Sequence, residues 1–94
     1  ISSGNLPAGF QLFQNYSNPF NPSTTIEFAL AKAGWVTLNI YNILGEEVAE
    51  LVSENLSAGS YKYNWDAGGL ASGVYLYQLK AGRFVQTRKM LLIR

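Results

Sequence analysis

The chain has 94 residues and a net charge of +1, which fits one near-neutral domain with a single modest core and leaves no room for a second domain. Charged residues make up 14% of the sequence, below the roughly 25% of ordinary soluble domains, whereas nine glycines and a 14% share of aromatic residues favour strands and turns. Cysteine and histidine are both absent, which excludes disulfides, thiolate nucleophiles and zinc–thiolate sites and leaves the redox compartment open.

The first residues have the composition of a linker. Residues 1–9 are rich in Gly, Ser and Pro without a period, so we expect a linker remnant there and a domain over residues 10–94. The chain starts at Ile1 and its only methionine is Met90, which indicates a piece cut from a longer protein. No apolar run reaches the roughly 18 residues that cross a bilayer, so no transmembrane segment is predicted.

Two Asn-Pro steps mark the start of the sheet domain. A short first strand is predicted from Phe10 to Tyr16, and Asn18-Pro19 and Asn21-Pro22 follow it. Each proline fixes its own φ and pushes the preceding asparagine out of the helical region. The pattern predicts a shaped, extended loop that leads into a strand, with a plain pair of turns as the alternative.

Alternating apolar residues predict the strands that follow. These strands cover residues 25–30, 35–41 and 60–65. Residues 46–52 fit a helical turn about as well as a bulged strand, and the context favours the strand. The apolar residues that share one face of their strand are Ile26, Phe28, Leu30, Val36, Leu38, Ile40, Tyr61, Tyr63 and Trp65.

The last third of the sequence predicts a central strand and a closing hairpin. Residues 74–79 are apolar on both faces, as expected of a central strand, and residues 80–83 turn the chain into a last strand over residues 84–94. About seven short strands separated by turns predict an all-β fold, an immunoglobulin-like antiparallel β-sandwich. On this prediction the chain ends inside its last strand.

Charge is unevenly distributed along the chain. Residues 1–66 hold two basic and six acidic side chains, whereas residues 67–94 hold five basic side chains and no acidic one. The five are Lys80, Arg83, Arg88, Lys89 and Arg94. Such an end could meet an acidic partner surface, or its charges could be solvated and guard an edge strand. A partner could also grip the last strand by strand addition.

The acidic residues are poorly placed for catalysis. Without His or Cys, general acid–base chemistry would need a pair of carboxylates held together. Glu46, Glu47, Glu50 and Glu54 are expected on one exposed element, and Asp66 stands alone beside a glycine loop. We therefore predict no enzymatic activity and no cofactor. A calcium site at Asp66 is an alternative, because Ca²⁺ takes oxygen ligands.

Aromatic side chains offer a second class of function. If exposed, Trp35, Tyr41, Tyr75 and Tyr77 could stack on sugars in a carbohydrate-binding module. Core packing and cross-strand aromatic pairs are the commoner roles of such residues. Nucleic acid is not a predicted partner, because the domain is near neutral and carries no motif of the known readers.

Four ordered blocks carry a family resemblance. They are residues 14–26 (QNYSNPFNPSTTI), 36–48 (VTLNIYNILGEEV), 70–75 (LASGVY) and 89–94 (KMLLIR). Together they resemble the type A C-terminal sorting domain of the type IX secretion system, which many secreted proteins of Bacteroidetes and related bacteria carry. Ser17 stands where that family commonly has proline and Arg94 where lysine is frequent.

The resemblance implies a seven-stranded immunoglobulin-like sandwich fused behind a cargo protein, recognised in the periplasm and carried across the outer membrane to the cell surface or the medium. Its implied partners are the type IX translocon and a sortase-like protease that usually removes the domain near the linker of residues 1–9. The residues implied in translocon recognition are Lys89, Met90, Leu91, Leu92, Ile93 and Arg94. The signature positions in loops and turns are Asn18, Pro19, Asn21, Pro22, Gly45, Gly73, Val74 and Tyr75.

A structural immunoglobulin-like module is the remaining alternative. Fibronectin-like relatives share the turn at residues 42–45, but they need not carry Lys-Met-Leu-Leu at the extreme C-terminus. The position of that block distinguishes the two interpretations.

Overall fold

The computed structural model describes residues 9–94, and these form two antiparallel sheets. The strands are β1 (Gln11–Leu12), β2 (Ser23–Leu30), β3 (Gly34–Tyr41), β4 (Glu47–Leu56), β5 (Gly59–Asp66), β6 (Gly73–Ala81) and β7 (Phe84–Leu92). One sheet has the order β1-β2-β5 and the other the order β4-β3-β6-β7. The predicted all-β sandwich is confirmed, while the predicted linker lies outside the described residues except for Gly9.

The core lies between the two sheets, where the predicted alternation places it. Ile26, Phe28 and Leu30 of β2 are fully buried, as are Leu38 and Ile40 of β3. Burying a side chain of this size contributes roughly 1.5–3 kcal/mol, so these two strands supply much of the core. Tyr61, Tyr63 and Trp65 share a face of β5, and their rings pack close to Phe28 or Phe20.

Bulges in β4 explain why its sequence resembles a helical turn. The register between β3 and β4 shifts between Leu38 and Asn39 and again between Ile40 and Tyr41. Each shift inserts an extra residue into β4, which breaks the period of two. The structure therefore confirms the bulged strand and excludes the helical alternative.

Tyr75 fixes the start of β6. Its buried ring packs edge-on to Trp65, and its hydroxyl donates a 2.7 Å hydrogen bond to the carbonyl of Ala71, four residues upstream. A tyrosine that bonds back in this way near the start of the sixth strand is typical of immunoglobulin-like sandwiches.

The first and last strands are shorter than predicted, and β4 runs to Leu56, beyond its predicted end at residue 52. The first strand is only Gln11–Leu12, because the chain leaves β2 after this pair and Tyr16 returns only as an isolated bridge to Thr25. The last strand ends at Leu92, not Arg94, because Gly73, the partner of Leu92, is the first residue of β6. Within residues 9–94, no helix has the length and apolarity to cross a membrane.

Candidate functional site

The end of β7 divides the predicted recognition residues into two groups. Met90 and Leu92 are buried in the core, with 1% and 0% of their surface exposed. Lys89, Leu91, Ile93 and Arg94 are exposed. Successive strand residues point to opposite faces, so only the second group is available to a partner.

The Asn-Pro loop lies along the outer edge of β7 and pairs with its backbone. The N–H of Phe20 donates to the carbonyl of Leu91, and the N–H of Ile93 donates to the carbonyl of Phe20, both at 3.0 Å. The side-chain Oδ1 of Asn18 accepts a 2.9 Å hydrogen bond from the Leu91 N–H. A signature residue of the N-terminal loop therefore holds the C-terminal strand.

The same edge is covered further along β7. Gln14 Nε2 donates a 2.7 Å hydrogen bond to the carbonyl of Lys89, and Arg88 Nε donates a 2.6 Å bond to the carbonyl of Leu12. Both hydrogen-bonding groups of Leu91 are already engaged by the loop. Strand addition at this part of β7 would therefore require an incoming strand to displace the loop.

Arg94 ties the C-terminus to the loop between β5 and β6. Its backbone N–H donates to Ser72 Oγ at 2.9 Å, and its guanidinium Nη1 donates to the carbonyl of Gly68. Hydrogen bonds to a charged donor contribute about 1.5–3 kcal/mol where they are shielded from water and less at an exposed site such as this. The cationic end of the chain thus has a fixed place although it lies beyond the strand.

The signature run Gly73-Val74-Tyr75 lies beside the end of β7. Gly73 is paired with Leu92 and has a φ of +149°, which residues other than glycine rarely adopt. Val74 is exposed and is paired with Leu91, whereas Tyr75 belongs to the core. In this run Gly73 provides a backbone conformation, Val74 lies on the surface and Tyr75 packs in the core.

The other signature residues lie at the same end of the sandwich. Pro22 accepts a 2.8 Å hydrogen bond from the N–H of Ala67 through its carbonyl, while Pro19 and Asn21 are exposed. Gly45 has a φ of +84° in the turn between β3 and β4. In this turn, Asn42 Oδ1 accepts hydrogen bonds from two backbone N–H groups. The tip of the turn exposes Ile43 and Leu44.

Asn15 and Tyr77 support the loop from inside, and the sequence analysis missed this role. The Tyr77 hydroxyl donates to the carbonyl of Phe13 at 2.7 Å and accepts from the Asn15 N–H at 2.8 Å. Asn15 is buried, and its amide donates to Thr24 Oγ1 and to the carbonyl of Ser17. Burial raises the pKa of the Tyr77 phenol, while the Asn15 N–H and the nearby Arg88 charge oppose the rise. The sequence carried no signal for this contact, because Asn15 and Tyr77 are 62 positions apart.

The aromatic residues proposed for sugar stacking separate into two groups. Tyr75 and Tyr77 are buried, which confirms core packing for these two residues and excludes them from sugar stacking. Trp35 is 55% exposed and lines a cleft of about 620 Å³ at the opposite end of the sandwich from Arg94. Phe10, Phe84, Lys32 and Arg83 also line this cleft. Tyr41 is half-buried on the outer face of its sheet.

Asp66 is engaged within its own loop. Its Oδ1 accepts a 2.7 Å hydrogen bond from the Gly68 N–H. In the part of the chain that the structure describes, no three acidic side chains gather around a common point. The calcium alternative therefore gains no cluster of acidic side chains from the described residues.

The basic residues of the last third separate into the two ends of the sandwich. Arg83 lies in the β6–β7 hairpin, with Lys80 near it on β6, whereas Lys89 and Arg94 lie at the end of β7. Arg88 is occupied by its hydrogen bond to Leu12. Two cationic side chains therefore lie at the end of β7: Lys89, which is exposed, and Arg94, which is hydrogen-bonded to the neighbouring loop.

Comparison with known proteins identifies a family. A protein-family model described as a secretion system C-terminal sorting domain matches residues 14–94. No curated protein and no solved structure matches the chain. The matched range includes the Asn-Pro loop and the whole of β7.

Proposed function

The chain belongs to the family of secretion system C-terminal sorting domains, and we propose that it directs a fused cargo protein through the type IX secretion system by presenting the end of β7 to the translocon. A sorting signal of this family implies an upstream cargo and export across the outer membrane to the cell surface or the extracellular space. The proposal adds the recognition residues Lys89–Arg94, transit through the periplasm, and removal by a sortase-like protease near residues 1–9. It also holds that the domain is not an enzyme and that residues 10–94 form the sorting unit.

The observation that carries the proposal is the attachment of the Asn-Pro loop to the end of β7. Residues 14–26 and 89–94, two blocks that are far apart in sequence, meet there. Phe20 and Asn18 of the first block are both hydrogen-bonded to Leu91 of the second. A passive spacer would not need an anchored C-terminus. A recognition signal does, because ordering a flexible end on binding would weaken the complex.

The test is whether the chain is sufficient for delivery. The 94-residue chain is fused behind a reporter with its own inner-membrane signal peptide and expressed in a bacterium that has a type IX system. We expect the reporter at the cell surface or in the medium in wild-type cells and in the periplasm of a strain without the translocon. Periplasmic retention in both strains would refute the proposed function.

Carbohydrate binding is the second candidate, and the exposed ring of Trp35 in the cleft favours it. Cleft sites of roughly 300–1,000 Å³ with aromatic walls and a few polar groups are typical of small-ligand sites. Affinity electrophoresis in soluble polysaccharides tests it with the native chain and a Trp35→Ala variant. Migration that is equal in all gels, with and without polysaccharide, would exclude this function.

A further inference from the structure

We propose that the translocon contacts the outer face of the four-stranded sheet at its C-terminal end, through an apolar patch formed by Val74, Leu76, Leu91 and Ile93, which we call the terminal patch. This inference rests on the proposed sorting function and specifies the surface of the domain that is recognised. It assigns no contact to Met90 or Leu92, although both belong to the predicted recognition block.

The strand register places the patch residues together. Val74 is directly opposite Leu91, and Leu76 is opposite Lys89. Opposed residues of an antiparallel pair point to the same face with their Cβ atoms about 5 Å apart. Val74, Leu91 and Ile93 are 39%, 37% and 49% exposed. Val74, Leu76 and Leu91 therefore lie side by side on this face, and Ile93 is exposed two residues beyond Leu91.

Apolar residues at this place are unusual for a solvent-facing sheet. Antiparallel sheets with one face in water usually carry polar residues on that face. The middle of this face follows the rule, with Asn39, Gln78 and Thr87 in one row. Apolar groups clustered on the surface of a small domain are typical of an interaction site.

The patch is held rigid from behind and from the side. Met90 and Leu92 anchor β7 in the core between the exposed residues. The Phe20 N–H donates to the Leu91 carbonyl and the Asn18 Oδ1 accepts from the Leu91 N–H, which fixes the backbone of Leu91 at the edge of the sheet. Because that edge is occupied, a partner reaches the end of β7 through its outward side chains and not by strand addition.

Charge around the patch defines the partner surface. Lys89 lies at the β7 side of the patch, whereas Glu47 lies on the β4 side, opposite Tyr41, which is itself opposite Leu76. The complementary surface is a translocon protein with an apolar centre and carboxylates on the side that meets β7. Such complementarity favours one orientation of the two proteins.

The experiment compares apolar residues at opposite ends of the same face. Val74→Thr with Leu91→Thr makes the patch polar and places a β-branched residue, which suits a strand, at both positions. Val85→Thr is the matched control, because Val85 is 54% exposed on the same face of β7 and lies opposite Lys80 at the other end. Each variant of the full chain is fused to the exported reporter, and surface delivery is measured together with the melting temperature of the purified chain.

We expect the double variant to reduce surface delivery by roughly tenfold, as for loss of central interface contacts, with a melting temperature within about 5 °C of the native chain. Val85→Thr should deliver normally. If the double variant melts early, Val74→Thr alone is measured instead, because it changes a single exposed residue and leaves the core intact. It should also reduce surface delivery.

Other outcomes overturn the patch separately from the proposed function. Normal delivery by the double variant, while the native chain still requires the translocon, would refute the patch and leave the sorting function in place. Equal loss of delivery with Val85→Thr would refute the localisation to one end. A dimer of the native chain that the double variant abolishes without loss of delivery would assign the patch to self-association instead.

Discussion

Asn18 and Leu91 are 73 positions apart in the sequence, yet the side-chain oxygen of Asn18 accepts a 2.9 Å hydrogen bond from the backbone N–H of Leu91. The bond occupies a donor at the edge of β7 that would otherwise face solvent. It gives a family signature position in the N-terminal loop a definite task at the C-terminal strand. The Asn-Pro loop is thus part of the presentation of the terminal residues.

Replacing Asn18 should loosen the end of β7 without unfolding the domain. Asn18→Ala removes the acceptor at an exposed site, so we expect a loss of about 0.5–1.5 kcal/mol in the free energy of unfolding. Amide hydrogen exchange at Leu91 should become faster by roughly tenfold. Asn18→Asp keeps an acceptor in place and should preserve slow exchange. Unchanged exchange at Leu91 in Asn18→Ala would show that the loop bond does not hold the strand.

Burial should separate two adjacent leucines in the terminal block. Leu92→Ala removes a fully buried side chain and should lower the free energy of unfolding by about 2–5 kcal/mol. Leu91→Ala changes a partly exposed residue and should cost about 1 kcal/mol or less. Urea denaturation measures both. Equal losses would contradict the alternation of β7.

Glycine at position 73 should be needed for its backbone conformation. The φ of +149° at Gly73 is disfavoured for any residue with a Cβ, so Gly73→Ala should cost about 1–3 kcal/mol. Gly69 lies in the adjacent loop with open space around its Cα and no such φ, which makes Gly69→Ala a matched control that should be near neutral. Thermal unfolding compares the two. A neutral Gly73→Ala would mean that the signature glycine has another role.

Alkaline pH should destabilise the domain partly through Tyr77. Burial raises the pKa of its phenol in the folded state, so the unfolded chain ionises first as the pH increases. The stabilisation is complete below a pH of about 10, the ordinary tyrosine value, and is lost as the pH rises through the raised pKa. Burial and the Glu54 charge also raise the pKa of Tyr63, which contributes in the same direction.

The Tyr77→Phe variant tests this assignment. It removes a titrating group and leaves the carbonyl of Phe13 and the N–H of Asn15 without their partner, so it should cost about 2 kcal/mol at neutral pH. Its stability should then decline less steeply as the pH rises above about 10, the ordinary tyrosine value. A decline as steep as that of the native chain would assign the alkaline effect to other groups.

Local alternation predicted most of the sandwich because period two is a property of each strand. Ile26, Phe28 and Leu30 face the core as their spacing indicates. The bulges of β4 were harder, since Val48 and Leu51 break the period and resemble a helical turn. Alternation with Val36 and Leu38 places Trp35 on the outer face of β3. The pattern could not show that Tyr77 is buried, because β6 is apolar on both faces and only the packing of the two sheets decides which face is covered.

The contacts of the candidate site were not predictable in this way. Phe20 and Asn18 bond to Leu91 across most of the chain length, and a loop that meets a distant strand leaves no periodic signal. The early end of β7 at Leu92 has the same origin, because Ile93 bonds to Phe20 and not to β6. The resemblance to the sorting family named both segments, but it did not show that they touch.

Charge reversal at the two ends of one sheet face tests the central claim most directly. Lys89 and Lys80 are both exposed on the outer face of the four-stranded sheet, Lys89 at the terminal patch and Lys80 at the opposite end. Lys89→Glu and Lys80→Glu make the same charge change, and each should alter the free energy of unfolding by under about 0.5 kcal/mol. Delivery of the fused reporter to the cell surface is the measurement. We expect Lys89→Glu to leave the reporter in the periplasm and Lys80→Glu to deliver it normally, whereas equal delivery by both variants would contradict recognition at the end of β7.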